Sequence, residues 1–406
     1  MSVIELTTFT VTPERTSAML AARSGMLADF RKDRRGFIAA RLVRVADDTW
    51  LDIVEWTDAQ AYDESSAKGG NLPGIAAFFA TIDTLVSAES AVRYDDAEDG
   101  PRAVRTIAYG PEPSQVGELY LPQGDGPFPT VVLIHGGWWA AMFDRRQSTA
   151  LAEDLVSRGF AVWNIEYRRI GEPGGGWPGT FDDVAAAVDA VPDLDPSIDA
   201  DRILVVGHSA GGQLATWTAH RSVLPDGVPG ARPKVRPLGV VTLAGVLDLV
   251  AADEARLGAE LAEADAQPPA GAPSPSLPDP WNAVASRAHD GIVPLLLGGR
   301  VTEYGERYAA ASPVLLENGG VPVLVIHGTA DDVIPPAYGR TYAEAAAARG
   351  ADVTFVASPG AGHFDVVDPA GHAWNVARTW VEERAAAADR ERAPLATTAA
   401  PAHGGM

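Results

Sequence analysis

Hydrophobic and polar positions change their rhythm along this chain, and the changes divide it into two parts. Val3 to Thr10 alternates as a strand does, with a period of two. Pro13 to Arg31 spaces Met19, Leu20, Met26, Leu27 and Phe30 as a helix with one buried face does. Two β-rich runs, Phe37 to Val45 and Thr49 to Trp56, flank Ala46-Asp47-Asp48, a polar turn that predicts a hairpin. Helical composition returns from about Asp58 to Ala80, interrupted at Gly69-Gly70 and Pro73, and Val86 to Tyr94 reads as a last strand. The order β-α-β-β-α-β is ferredoxin-like and predicts a small α+β domain over residues 1–96.

DDAEDGPR, residues 95–102, is polar and punctuated by Gly and Pro, so residues 97–102 read as a linker. Beyond it the rhythm becomes that of alternating strands and helices. VRTIAYG, VGELYLP, TVVLIHGG, AVWNIEYR, RILVVGHS, GVVTLAG, VPVLVIHG and DVTFVAS are strand-like, and helical runs separate most of them. Near-continuous apolar strands alternating with helices predict a mostly parallel sheet covered on both faces, over residues 103–388. The alternation pauses at about residues 248–313, where an acidic helical stretch precedes QPPAGAPSPSLPDP. An insertion of that length reads as a cap with a Pro-rich tip. The last helix is expected from His372 to Ala388, and residues 389–406, rich in Ala, Thr, Pro and Gly, as a disordered tail.

Composition narrows the chemistry. The 406 residues include no cysteine, which excludes disulfides, thiolate metal sites and a cysteine nucleophile. A formal charge of −22 disfavours nucleic acid and anionic membranes as partners, since both reward a basic face. No apolar run reaches the ~18 residues of a membrane span, and MSVIELTTFTVTPERT has no basic and apolar leader pattern. The expectation is a cytoplasmic protein.

The richest motif is ILVVGHSAGGQLATW, residues 203–217, a β-branched run that ends in G-x-S-x-G and continues as a helix. A serine on a sharp strand-to-helix turn needs small neighbours, and Gly207, Ala210, Gly211 and Gly212 supply them around Ser209. A nucleophilic Ser209 requires an oxyanion loop upstream and an acid, then a histidine, downstream. TVVLI runs into His135-Gly136-Gly137-Trp138-Trp139, where the N–H groups of Gly136 and Gly137 can join that of Ala210 in an oxyanion hole. Asp331 follows one predicted strand, in HGTADDVIPP, and His363 the next, in GAGHFDVVDP. His363 fits the general base and Asp331 its orienting acid; the rivals are Asp332 and Asp248. Of the other histidines, His135 and His327 read as loop holders and His208 as the variable residue of the turn, while His220, His289, His372 and His403 lack a strand-end context. Trp138, Trp139 and Trp177 are candidate aromatic walls of a substrate pocket. The run GEPGGGWPG, residues 171–179, has neither phosphate-loop spacing nor its Lys, and reads as a plain loop. No metal or organic cofactor is required by this chemistry.

With these motifs in register, residues 103–385 resemble the α/β-hydrolase superfamily. HGGWW fits the H-G-G-x-W pattern of kynurenine formamidases, and the set is also similar to hormone-sensitive-lipase-like and feruloyl-esterase-like esterases. The resemblance implies a Ser209-His363-Asp331 triad that hydrolyses a small or aromatic carboxylic ester through an acyl-enzyme, with an arylformamidase as the alternative. The order of elements in residues 1–96, together with TWLDIVEWTDAQAYDE, resembles the antibiotic-biosynthesis-monooxygenase family of dimeric α+β barrels. That resemblance implies a homodimer joined through this domain, and a cofactor-free oxygenase or ligand-binding role as a further alternative. The domain has no histidine, which argues against haem chemistry, and Trp50, Trp56 and Tyr62 read as core and interface aromatics.

Overall fold

Along the strand Thr49–Trp56, Trp50, Asp52, Val54 and Trp56 are buried while the residues between them are half-buried, so a single face meets a core. This is β3 of a smaller unit in a computed structural model that describes residues 3–92, 103–259, 261, 284 and 287–392. The chain divides into two compact units, Met1–Glu98 and Asp99–Met406.

In the smaller unit, β1 (Val3–Thr10), β2 (Phe37–Arg44), β3 and β4 (Thr84–Val92) form one sheet in the order β2-β3-β1-β4. Every neighbouring pair is antiparallel, which is the ferredoxin-like arrangement. Helices α1 (Pro13–Asp33), α2 (Ala59–Lys68) and α3 (Pro73–Phe79) supply Met19, Met26, Phe30, Ala61, Ile75 and Phe78 to a core with Phe9, Trp50, Val54 and Trp56. The helical region divides where Gly69 takes a φ of 52° and Pro73 starts a new helix. Asp52, on the buried face, is held by the Arg23 guanidinium, which gives a buried charge the partner it needs.

The larger unit holds eight strands: β5 (Ala103–Ala108), β6 (Val116–Leu121), β7 (Phe128–Ile134), β8 (Ala161–Ile165), β9 (Ile198–His208), β10 (Gly239–Leu243), β11 (Val323–Gly328) and β12 (Val353–Ser358). Their order is β12-β11-β10-β9-β7-β8-β6-β5, with the first six parallel and the β6-β5 edge antiparallel, the α/β-hydrolase arrangement. The pleat sends alternate residues to two cores. Val132, Ile134, Val205 and Val325 pack with α5 (Gly179–Asp189) and α6 (Ala210–Thr218), through Phe181, Val184 and Leu214. Val131, Leu133, Leu204, Val206 and Ile326 pack with α4 (Thr149–Ser157) and the helix His372–Arg392, through Leu155, Trp374 and Val381. This explains the unbroken apolar runs, since both faces of each central strand are covered.

One boundary differs from the sequence reading, and three expected segments fall outside the described residues. The last helix runs to Arg392, past Ala388, because Asp389-Arg390-Glu391-Arg392 contains no helix breaker. Residues 393–406 of the expected tail, and the linker 97–102, lie outside the described residues, as does the Pro-rich tip of the cap. The described part of the cap contains the short helices Leu249–Glu254, Val293–Leu297 and Gly305–Ala311.

Candidate active site

Ser209 stands between β9 and α6 with φ 54° and ψ −120°, a backbone conformation that is strained for a residue with a Cβ. The chain closes that tightly because its neighbours are bare. A Cβ on Gly207 would lie 2.1 Å from the carbonyl oxygen of Gly211, and one on Gly211 would lie 2.1 Å from that of Ile134. The Ser209 N–H donates to Leu243 O at 2.8 Å, which fixes the turn to β10.

Beyond the end of β7, Gly137, Trp138 and Trp139 take φ values of 100°, 58° and 53° in succession. That turn folds the loop back over the nucleophile side, where a Cβ on Gly136 would sit 3.0 Å from Ser209 Cβ. Among the described residues, no acceptor is bonded to the N–H groups of Gly136, Gly137 or Ala210. His135 holds this loop. Its ring is 2.7 Å from Gly136 O through Nδ1 and 2.7 Å from Glu166 Oε1 through Nε2, and it stacks on Tyr167 at 4.5 Å.

Asp331 and His363 meet beyond β11 and β12. His363 Nδ1 donates to Asp331 Oδ2 at 2.9 Å, and the other carboxylate oxygen accepts the N–H groups of Val333 at 3.0 Å and Ile334 at 2.8 Å. Burial alone would raise the Asp331 carboxyl. Hydrogen bonds from His327, His363 and Ile334 outweigh it and hold the group well below the usual carboxylate range. Asp332 is exposed beside it, and Asp248 caps the helix Leu249–Glu254 by accepting from Ala251 N at 3.0 Å, so neither rival bonds His363.

Ser209 Oγ and His363 share no hydrogen bond among the described residues, yet their loops are tied together by His208. Its Nε2–H donates to the main-chain oxygen of His363 at 2.9 Å, and the two rings are 4.7 Å apart. By sequence His208 is the variable residue of the turn; the structure makes it the link between the serine turn and the histidine loop. Its partner is 155 residues away, so local spacing holds no trace of it.

The three tryptophans separate. Trp138 is half-buried on the Gly-rich loop. Trp139 is 0% exposed and donates from Nε1 to Gln213 Oε1 at 3.1 Å, so it belongs to the core instead of a pocket wall. Trp177 lines a different cleft of about 730 Å³, with Asp182, Asp226, Arg232, Glu306 and Arg307, and none of Ser209, Asp331 and His363 borders it.

Residues 118–345, more than half of the chain, match the BD-FAE family. This chain belongs to that family. The BD-FAE match begins within β6, includes Gly136, Ser209 and Asp331, and ends before His363. The chain is similar to Esterase EstD of Thermotoga maritima, 33% identical over 128 residues that cover 30% of this chain and 31% of that protein. It is similar to Esterase LipC of Mycobacterium tuberculosis, 27% identical over 280 residues that cover 66% of this chain and 61% of that protein. The matched stretches therefore span less than two thirds of these curated relatives. Among solved structures, a truncated carbohydrate esterase from gut microbiota shares the fold, with a TM-score of 0.55 at 22% identity, covering 71% of this chain and 99% of the other.

The smaller unit has a cavity of its own, about 440 Å³, bordered by Glu5, Phe30, Arg34, Ser65, Phe79 and Leu85 among others. Arg34 Nε is buried there without a hydrogen-bond partner among the described residues. Burial raises the Glu5 carboxyl, which accepts from Trp56 Nε1 at 3.0 Å. No helix among the described residues is long and apolar enough to cross a membrane.

Proposed function

We propose that the chain is a cytoplasmic serine esterase that cleaves small or aromatic carboxylic esters. The observation that carries the reading is the Asp331-His363 hydrogen bond on the same sheet edge as the strained Ser209. With Nδ1–H committed to Asp331, His363 presents a bare Nε2 as general base. Ser209 Oγ attacks the ester carbonyl carbon as its proton passes to His363 Nε2. The tetrahedral oxyanion takes the N–H groups of Gly136, Gly137 and Ala210. Collapse breaks the carbon–oxygen bond to the alcohol, which leaves with the proton from His363, and Ser209 retains the acyl group. Water, deprotonated by His363, then releases the acid and restores Ser209.

A panel of nitrophenyl esters of increasing acyl length beside N-formylkynurenine tests the reading, with kcat/KM compared for the parent and for Ser209→Ala. Esters are expected to turn over fastest and Ser209→Ala to abolish their hydrolysis. Undiminished turnover by that variant would sink the proposal, and a preference for the formamide would favour the arylformamidase alternative that the His135-Gly136-Gly137-Trp138-Trp139 loop supports.

The cavity of the smaller unit supports a second role, binding of a small ligand or a cofactor-free oxidation there. Oxygen uptake with quinol-like substrates by the full chain carrying Ser209→Ala separates the two. We also propose a homodimer through this unit. The register puts Ile4, Leu6, Val43, Leu51 and Ile53 on the sheet face opposite the buried one, together with Thr8, Arg41, Glu55 and Glu89, a mixed face with an apolar centre suited to a second copy. Light scattering that gives a monomer at micromolar concentration would overturn it.

A further inference from the structure

Asp331 Oδ2 receives two imidazoles. His363 Nδ1 lies 2.9 Å from it, and His327 Nε2 lies 3.1 Å from it. His327 lies near the end of β11, four residues before the acid, and its ring is fully buried. The same Nε2 is 2.9 Å from the carbonyl oxygen of Ile334, within the loop that returns from Asp331. Both neighbours of Nε2 are acceptors, so the proton sits on Nε2 and is shared between them. Nδ1 is buried with no partner among the described residues, and the backbone of the helix Ala337–Ala348 closes on it, since a Cβ on Gly339 would come within 3.1 Å. Its Nδ1 edge is bare, and its Nε2 edge serves two acceptors at once, the Ile334 carbonyl that fixes the loop and the Asp331 carboxylate.

We propose that His327 is a positioning residue for the esterase reaction, a second donor on Asp331 that limits how strongly the carboxylate holds the proton-accepting histidine. This rests on the assignment of His363 as general base. A hydrogen bond from His327 withdraws charge from Oδ2, the oxygen that stabilises protonated His363. With His327 present the carboxylate therefore holds the Nδ1–H of His363 less strongly than it would alone. The other titratable groups on the surrounding elements are His208 at the end of β9, Asp248 beyond β10, Asp332, Tyr338 and Asp365, and none of them donates to Asp331 among the described residues. His208 instead meets His363 through its main-chain oxygen and its ring.

The full chain labelled with 15N-histidine tests the arrangement without any need for turnover. The His327 resonances, assigned by their loss in His327→Gln, are expected to show a proton on Nε2 and a bare Nδ1 at neutral pH. A proton on Nδ1 with Nε2 bare overturns the proposal. Kinetics on a nitrophenyl ester supply the second test. In His327→Leu the acid limb of kcat/KM is expected to move to higher pH by about 0.5–1, while His327→Gln, whose amide can still donate, keeps it near the parent position. A His327→Leu enzyme that is slower but keeps its acid limb in place overturns the proposal. Failure of the triad assignment would show differently, as an active Ser209→Ala or His363→Ala enzyme, whatever the tautomer of His327.

Discussion

His208 Nε2 lies 2.9 Å from the main-chain oxygen of His363, a bond between the residue before the candidate nucleophile and the candidate base itself. The bond sets the height of the histidine loop over the serine turn, and ring contacts of His208 with His363 at 4.7 Å and with Phe364 at 5.8 Å add to the tie. His208→Ala is therefore expected to lower kcat on a nitrophenyl ester by about 10- to 100-fold with little change in KM, the scale of a misplaced catalytic group. His208→Asn, which can donate from nearly the same place, should recover part of the loss. Equal kcat for all three enzymes would show that the bond is idle.

The same ring makes the fold sensitive to acid. Burial first, and the neighbouring His363 second, pull the His208 imidazole from its ordinary 6.5 down to about 3. Between those values the unfolded chain binds a proton that the folded chain refuses, so stability is complete above pH 6.5 and drains as the pH falls toward 3. One such group costs about 2 kcal/mol between pH 6.5 and 5. Chemical denaturation at the two pH values should show a smaller loss for His208→Asn than for the parent, by about that amount. Parallel losses would mean that His208 takes up its proton in the folded state.

Gly211 tests the link between the serine turn and the Gly-rich loop. A methyl group there would lie 2.1 Å from Ile134 O and 2.3 Å from His135 O, the carbonyls that lead into Gly136 and Gly137. Backbone has to move, and the N–H groups that would meet an oxyanion move with it. Gly211→Ala is expected to lose about 2–3 kcal/mol of stability and at least about 100-fold in kcat. Gly305→Ala, where an added Cβ meets nothing within 4 Å, should change neither and serves as the control.

What could be read from the sequence follows from how local each feature is. The ends of β9, β11 and β12 were legible because apolar runs mark strands and small residues mark the turns that leave them, so Ser209, Asp331 and His363 could be placed on one sheet edge before any contact was known. The tie from His208 to His363 and the second donor on Asp331 depend on how loops of different strands meet, and a spacing rule carries no such information. Trp138 and Trp139 illustrate a second limit. Alternation would place neighbours on opposite faces, but three successive positive φ values reverse the loop and drive the second ring into the core, where Gln213 waits for its N–H. The division of the helical region at Gly69 and Pro73 was legible for the opposite reason, since those residues act on the backbone where they stand.

The separation of the tryptophans leads to a specificity prediction. Trp138 is half-buried on the loop that carries Gly136 and Gly137, and we propose its ring as the aromatic wall for a group bound at Ser209. Trp177 borders the cleft of Asp226 and Glu306, and its ring leans on Phe181 at 5.2 Å, which packs in turn on Trp217 at 5.1 Å. A contact that serves substrate binding alone should change KM, and one that aligns the reacting carbonyl should also change kcat. Trp138→Ala is expected to raise KM for an aromatic ester more than for a short-chain acetate, because only the aromatic group loses a ring to pack on. Trp177→Ala should leave the ratio of the two substrates unchanged, with any loss appearing as stability through the Phe181-Trp217 stack. Measured kcat/KM ratios for the two esters decide between these assignments: a ratio altered by Trp177→Ala and not by Trp138→Ala would move the substrate to the cleft of Asp226.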